Sequence, residues 1–454
     1  MSFIRAFTSC NPGTGEIYFT RPSWSENELL VRVAGLKNFQ ESWAALGAKI
    51  RAEHFQDLAF ALLDKKNDIA SKITQEVGRR RLECESEIDR SVELLQYYSR
   101  LAPDILKPRQ VSTEGTRSEL CFEPLGLVLA IMPWNYPVWQ VLRFAVPALA
   151  AGNACLVKPA PSVPQTTALL LDIVNSVGIN VMDVAWINEE LVEEAIRGAD
   201  AVAFTGSTDV GRIVAAAAGR HIKKTVLELG GSNPFIVLAD ADIKAAARDA
   251  CYSRFRDAGQ SCNAAKRMIV VPEIANEFIM EFVAEASRLK MGLQDDPSAN
   301  LPPLARADLR ETLHAQVLDA VTHGATLLLG GQMPDGPGFF YPATILDTVT
   351  PSCRVYHEEV FGPVASILRA KDESDAVRMA NDTVFGLGAS IYTRDKKRGW
   401  ALAKLIEAGS VFINRQPSSD LRLPFGGIKA SGYGRELSEF GLLEFVNVKT
   451  FWQK

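Results

Sequence analysis

The segment LGLVLAIMPWNYP (residues 125–137) decides the fold. Its first eight residues form a continuous apolar run of strand length, and a turn containing two prolines follows at once. A strand without polar alternation is typical of a sheet that is covered on both faces. Pro133, Asn135 and Pro137 break the segment, so it is interpreted as a buried strand, a turn and the start of a helix rather than as a membrane span.

Strands and helices alternate outward from this segment. Predicted strands lie at 154–157, 184–187, 201–204 and 226–229, and predicted helices at 138–151, 165–177, 191–196 and 210–218. A second alternation runs from Phe235, with strands at 268–271 and 326–329 and a helix at 274–289, and residues 25 to about 100 have helical spacing. The pattern predicts an α/β protein with two doubly wound parallel-sheet domains. Two lone strands, at 118–122 and 444–451, either pair with each other or complete a partner's sheet, because a lone strand is unstable.

Composition excludes several classes of function. At 454 residues the chain is too long for one ordinary core, so two or three domains are expected. A net charge of −5 gives no reason to expect nucleic acid or an anionic membrane as a partner. The seven widely spaced cysteines and the absence of a secretory signal favour reduced thiols in the cytoplasm. The five histidines form no ligand pattern, so no metal site is predicted.

Cys262, in the run GQSC (259–262), is the candidate nucleophile, and Glu228, in LELGG (227–231), is its candidate base. A thiolate can form a covalent intermediate, and a carboxylate can move protons for it. The alternative is that Cys262 is a buried small hydrophobe, as many free cysteines are.

Further candidates follow predicted strands. Gly206 and Ser207, in FTGST (204–208), open a helix whose N-terminus suits phosphate, although Ser207 could equally be an N-cap. The sequence has no GxGxxG after a strand, so an ordinary Rossmann fingerprint is absent. Asn135 could donate to an oxyanion or serve as a turn residue. Lys158, in the pair Lys-Pro, could hold a ribose or phosphate or be a solvated strand end.

The segment EEVFGPV (358–364) places Glu359, which could bind ribose hydroxyls, beside Phe361, which could pack on a planar ring. The alternative is an ordinary turn with a solvated carboxylate. The segment PFGGIKASGYGRE (424–436) is a glycine-rich connection.

With these motifs in this order, the whole chain from about residue 8 resembles the aldehyde dehydrogenase superfamily. The resemblance implies aldehyde oxidation with a nicotinamide cofactor in a subunit with cofactor, catalytic and oligomerisation regions. It implies an NAD(P)-binding domain at 1–107 and 124–229, a catalytic domain at 230–436, and a small β oligomerisation element at 108–123 and 437–454. It also implies a homodimer or homotetramer.

The same resemblance implies roles for single residues. Cys262 is similar to the family's nucleophile, Glu228 to its general base, and Asn135 with the Cys262 backbone N–H to its oxyanion donors. The implied cofactor contacts are Trp134, Lys158, Gly206, Ser207, Glu359 and Phe361. Pro161 stands where relatives commonly have a glutamate that favours NAD, and no extra Lys or Arg lies beside it. NAD is therefore the expected cofactor, with NADP as a second one.

Arg143 is the one charged residue between Glu123 and Lys158. It is expected on roughly the same helix side as Asn135, about 80° past two full turns. It forms either a structural ion pair or a bidentate contact with a substrate carboxylate. Arg143 and Arg256 resemble the arginines with which succinate-semialdehyde dehydrogenases hold their substrate, and Ser419 resembles a third ligand.

The expected substrate is therefore a small aldehyde with a carboxylate, with succinate semialdehyde first. The alternatives left open are glutarate semialdehyde, a broad set of small aldehydes, a non-catalytic protein on this fold, and a cofactor-independent thiol esterase.

Overall fold

A computed structural model describes residues 6–454, which form an α/β protein. The strands are β1 (Ala6–Asn11), β2 (Glu16–Pro22), β3 (Arg109–Gln110), β4 (Arg117–Pro124), β5 (Leu127–Ile131), β6 (Ala154–Lys158), β7 (Met182–Val184), β8 (Ala201–Thr205), β9 (Lys224–Glu228), β10 (Asn233–Val237), β11 (Ala265–Val270), β12 (Thr326–Leu329), β13 (Thr344–Asp347), β14 (Val364–Arg369), β15 (Gly388–Tyr392), β16 (Ser410–Ile413), β17 (Gly432–Tyr433) and β18 (Val446–Gln453).

The helices flank these strands. They are α1 (Glu26–Ala45), α2 (Gly47–Asp64), α3 (Lys66–Val77), α4 (Arg81–Ile105), α5 (Trp139–Ala150), α6 (Pro164–Ser176), α7 (Val192–Gly198), α8 (Thr208–Arg220), α9 (Ile243–Phe255), α10 (Ala275–Ala286), α11 (Ala307–Thr322), α12 (Arg354–His357), α13 (Glu373–Asn381), α14 (Lys396–Ala403) and α15 (Ser438–Leu443), with 3₁₀ turns at Glu189–Leu191, Arg256–Gly259 and Lys429–Ser431. No helix within residues 6–454 combines the length and the apolar character that crossing a membrane requires.

The first large sheet has the strand order β17-β9-β8-β5-β6-β7 and is parallel except for β17. All five residues of β5 are buried, as the apolar run predicted. Ile131 at the end of β5 pairs with both Lys158 and Phe204, and Thr205 pairs with Glu228. The carboxyl ends of β9, β8, β5 and β6 therefore meet at one edge of the sheet.

The second large sheet has the order β12-β13-β14-β11-β10-β15-β16 and its own apolar core. Its edge strand β12 runs antiparallel to β13, and the remaining pairs are parallel. The two parallel cores confirm the predicted fold class, while the predicted domain boundaries stay a prediction.

A third sheet, β18-β4-β3, is small and antiparallel. β18 pairs with β4 over eight residues, from Val446 opposite Pro124 to Gln453 opposite Arg117. Of the two alternatives for the lone strands, they thus pair with each other. The hairpin of β1 and β2 was not predicted from the sequence, and the strand expected at 184–187 lies at Met182–Val184.

Candidate active site

The carboxyl edge of the first sheet brings four of the predicted site residues together. Glu228 ends β9, Ser207 follows β8, Asn135 follows β5 and Lys158 ends β6. Because these strands are neighbours in that order, the four residues follow one another along the edge. Ligands of open parallel sheets bind at this edge.

Cys262 lies between the 3₁₀ turn Arg256–Gly259 and β11. Its carbonyl oxygen accepts hydrogen bonds from Asn233 Nδ2 at 3.0 Å and from Lys266 Nζ at 2.9 Å, which fixes its peptide. Its backbone N–H donates to no acceptor in residues 6–454. The strands β10 and β11 of the second sheet therefore hold a loop that carries a thiol and an N–H without an acceptor among the described residues.

Asn135 connects the first sheet to this loop. Its Nδ2 donates to the carbonyl oxygen of Gln260 at 3.0 Å. An amide nitrogen carries two hydrogens, so one N–H of Asn135 has no acceptor among the described residues. The side chain is buried, which strengthens any hydrogen bond that this N–H donates.

The surroundings of Cys262 keep its thiol protonated. Burial raises the pKa of the thiol to about 11, although the nearby Arg143 and Lys266 lower it. Only the thiolate is nucleophilic, so the thiol must give up its proton to solvent before it reacts.

Glu228 has the properties of a general base that activates water. Burial raises the pKa of its carboxyl well above the ordinary value, and the neighbouring Glu436 raises it further. Its Oε1 is buried and has no hydrogen-bond partner among the described residues. It lies against the glycine-rich connection, since a Cβ added to Gly426 would be 2.7 Å away. A carboxylate with a raised pKa is a stronger base than an ordinary one.

Lys158 is buried, and burial lowers the pKa of its ammonium to about 8. Its Nζ donates to the carbonyl oxygen of Pro159 at 3.4 Å and has no carboxylate within 4.0 Å among residues 6–454. A buried ammonium without an anion is a fit for the hydroxyl or phosphate oxygens of a nucleotide.

Ser207 is the N-cap of α8, and its Oγ accepts from Val210 N at 3.4 Å. The N-cap alternative is thus observed. The same arrangement leaves the N-terminus of a 13-residue helix at the sheet edge, where anions bind. Gly206 precedes it, and a Cβ there would lie 2.5 Å from the ring of Phe204, so only glycine fits.

Glu359 lies close to the Cys262 loop. Its Oε1 accepts from Gly231 N at 3.1 Å and forms an ion pair with Lys266 Nζ at 3.1 Å. Phe361 packs edge-on against Trp134, with ring centroids 5.9 Å apart. All the predicted cofactor contacts are therefore either at the sheet edge or across from it.

A cavity opens at Cys262, and the predicted substrate ligands Arg143, Arg256 and Ser419 line it. Arg143 Nε lies 2.5 Å from Glu436 Oε2, so the structural ion pair is present. Its Nη2 is buried without a hydrogen-bond partner among the described residues, so the ion pair does not use every donor. Arg256 Nε donates to Asp257 Oδ2 at 3.0 Å.

Sequence reasoning missed four residues of this site: Arg90, Asp257, Lys266 and Glu436. Arg90 lines the cavity from α4, and Asp257 joins two arginines in a buried network. Lys266 at the start of β11 is fully buried between Cys262 and Glu359, and Glu436 pairs with Arg143. Of these four residues, only Lys266 left a signal in the sequence, because it is a charged residue at the start of a buried strand.

Comparisons with known proteins show which family this chain is similar to. The model of the aldehyde dehydrogenase family matches residues 2–451. A succinate semialdehyde dehydrogenase of Escherichia coli (strain K12), named for NAD(P)+, is 42% identical over 98% of this chain and 97% of its own. A succinate-semialdehyde dehydrogenase of Deinococcus radiodurans, named for NADP+, is 38% identical over 98% of this chain and 94% of its own. The crystal structure of succinic semialdehyde dehydrogenase from Streptococcus pyogenes in complex with NADP+ has a TM-score of 0.96 and 31% identity, and the match covers 98% of this chain and 99% of that one.

Proposed function

This chain belongs to the aldehyde dehydrogenase family, and from that premise we propose that it oxidises succinate semialdehyde to succinate with NAD(P)+. The observation that carries the substrate is the cavity at Cys262, which is lined by three arginines: Arg90, Arg143 and Arg256. An arginine binds a carboxylate through two parallel hydrogen bonds. A short aldehyde that carries a carboxylate at its far end can be held there while its carbonyl faces the thiol.

Cys262 and Glu228 carry the covalent chemistry. The Cys262 thiol gives up its proton to solvent, and the thiolate adds to the aldehyde carbon. After the substrate carbon has lost its hydride, a thioester joins the acyl group to Cys262. Glu228 then takes a proton from water, the hydroxide attacks the thioester, and the acid leaves while that proton passes from Glu228 to the Cys262 thiolate.

Asn135 and the backbone N–H of Cys262 hold the oxygen that becomes negative during addition. Each has one N–H without an acceptor among the described residues. Donors fixed in place before the reaction stabilise the developing charge without reorganisation. The bond from Asn135 to Gln260 keeps the amide aimed at the Cys262 loop.

The residues at the sheet edge fit a dinucleotide. Lys158 supplies a buried ammonium for ribose or phosphate oxygens, and Ser207 with the α8 N-terminus suits the pyrophosphate. Glu359 suits the ribose next to the nicotinamide, and Trp134 with Phe361 suits the planar ring. When bound, the nicotinamide supplies a hydride acceptor.

The chain is proposed to accept both NAD+ and NADP+. Pro161 carries no carboxylate that would repel a 2′-phosphate, and its carbonyl oxygen accepts from Thr8 N at 2.8 Å. Relatives named for NAD(P)+ and for NADP+ support this dual use.

Assembly and location complete the proposal. The third sheet is proposed to join two or four copies of the chain, because β18 exposes Val448, Phe451 and Trp452. All seven cysteines are free, which supports a reducing cytoplasm.

Initial-rate kinetics test the proposal. Succinate semialdehyde, glutarate semialdehyde and butanal are compared with NAD+ and NADP+ in parallel, by the absorbance of the reduced nicotinamide. We expect the highest kcat/KM for succinate semialdehyde, and activity with both cofactors. A kcat/KM for butanal equal to that for succinate semialdehyde would refute a carboxylate site. A higher kcat/KM for glutarate semialdehyde would make glutarate semialdehyde the preferred substrate instead. Product formation without reduction of either cofactor would identify an esterase.

A further inference from the structure

We propose that Arg90 is a specificity-determining residue that binds the carboxylate of the aldehyde substrate in the cavity at Cys262. The inference rests on the proposed function and deepens it, because it names the side chain that selects the ω-carboxylate. Arg90 was not among the substrate ligands expected from the sequence.

Arg90 reaches the cavity from α4 and is held in place there. Its guanidinium carbon lies 4.9 Å from the centre of the Trp139 ring. Its Nη2 donates to the Oγ of Ser419 at 2.7 Å and also to the carbonyl oxygen of Ser419. Stacking and hydrogen bonding together fix a side chain that would otherwise sample many rotamers.

The remaining donors of Arg90 have no partner. Nε is buried without a hydrogen bond, and Nη1 donates to no atom of residues 6–454. A guanidinium has five N–H groups in a planar fork. Since Ser419 is bonded to Nη2 alone, the N–H groups of Nε and Nη1 are left for a ligand.

The charge of Arg90 is also uncompensated, unlike that of the other two arginines in the cavity. Arg143 forms an ion pair with Glu436, and Arg256 forms one with Asp257. Within the described part of the chain, no carboxylate lies within 4.0 Å of the Arg90 guanidinium. Of the three cations, Arg90 is therefore the one that lacks an anion.

Neighbouring charges make a bound anion favourable at this position. Burial lowers the pKa of the Arg90 guanidinium, and the positive charges of Arg256 and Arg143 lower it further. A carboxylate placed between these groups would relieve both effects. An aldehyde with a neutral far end would relieve neither effect. The cavity should therefore prefer an aldehyde that carries a carboxylate over an uncharged aldehyde of equal length.

The test compares Arg90→Gln and Arg90→Lys with the wild-type enzyme on succinate semialdehyde and butanal. Losing a hydrogen bond to a charged group weakens binding by roughly 10- to 100-fold. We expect Arg90→Gln to lower kcat/KM for succinate semialdehyde by about that factor, mainly through KM, and to leave kcat/KM for butanal unchanged. Arg90→Lys keeps the positive charge but loses the planar fork of N–H groups, so its kcat/KM for succinate semialdehyde should lie between those of the wild type and Arg90→Gln. Arg100→Gln, at an exposed position of the same helix, is the matched control.

The outcomes separate the two proposals. A wild-type enzyme without preference for succinate semialdehyde over butanal overturns the proposed function and the role of Arg90 with it. A wild-type enzyme with that preference, but equal losses on both substrates in Arg90→Gln, overturns the role of Arg90 alone and leaves it as a support for Ser419. No loss on either substrate overturns it as well. If Arg90→Gln fails to fold, Arg90→Lys decides by the same comparison of the two substrates.

Discussion

Replacing Asn135 by alanine isolates the oxyanion contact. One N–H of the Asn135 amide donates to the carbonyl oxygen of Gln260, and the other is left for the substrate. Alanine therefore removes one of two oxyanion donors, while the backbone N–H of Cys262 stays. Removing one such donor typically lowers kcat by about 100- to 1,000-fold, which corresponds to about 2.7–4 kcal/mol.

The same change has a separate effect on stability. Losing the hydrogen bond to Gln260 costs about 0.5–1.5 kcal/mol of folding free energy. That loss lowers the temperature of unfolding but does not lower the turnover of the folded enzyme. The two effects are separated by measuring thermal unfolding beside the pre-steady-state formation of reduced cofactor, which reports the addition and hydride steps.

Asn381→Ala is the matched control. Asn381 Nδ2 donates to Leu405 O at 2.8 Å and its Oδ1 accepts from Glu407 N at 2.9 Å, so alanine also removes hydrogen bonds to the backbone. Asn381 does not line the cavity at Cys262. We expect Asn381→Ala to lose stability and keep its turnover. Near-normal turnover in Asn135→Ala, or an equal loss in both variants, would refute the oxyanion role.

Three further predictions follow from the charges of the site. Glu228→Gln should give a burst of reduced cofactor followed by slow turnover. In the wild type, the rate of deacylation should increase with pH as Glu228 ionises. Glu436→Gln should shift this increase to lower pH, because the negative charge of Glu436 raises the pKa of Glu228. A pH profile that Glu436→Gln leaves in place would contradict the coupling. Lys158→Met should raise the KM for the cofactor by roughly 10- to 100-fold and leave the KM for the aldehyde nearly unchanged, which initial rates at varied cofactor will check. Asp257→Asn should cost about 3–5 kcal/mol in urea unfolding, because it leaves Arg79 without one of its buried partners. Burial would raise the pKa of Asp257, but the neighbouring arginines lower it from 3.8 to about 2. The stability that ionised Asp257 contributes is therefore present above pH 3.8 and is lost as the pH falls towards 2. An Asp257→Asn enzyme that is as stable as the wild type would contradict this role.

Much of the fold could be predicted because buried parallel strands leave long apolar runs. β5, β6, β8 and β9 were each expected within a few residues of their observed bounds. β2 could not be found this way because most of its side chains are exposed, so burial imposes no pattern on it. The strand after α6 was placed too late because Asp183 interrupts its apolar residues.

The site divides in the same way. Residues that follow the ends of neighbouring strands, such as Asn135 and Lys158, could be grouped from the sequence because topology brings those ends together. The ion-pair partner of Arg143 could not be predicted from the sequence, because Glu436 lies far away in the chain and only tertiary packing brings the two together. Arg90 looked like an ordinary charge on an amphipathic helix, and only the cavity distinguishes it from its neighbours.

Peptide mass mapping of Glu228→Gln, quenched during turnover of succinate semialdehyde, tests the covalent role of Cys262 most directly. Slow deacylation in this variant should let the thioester accumulate. The account predicts one succinyl group on the peptide that contains Cys262, in step with the burst of reduced cofactor. A burst of the same size with Cys262 unmodified would contradict it.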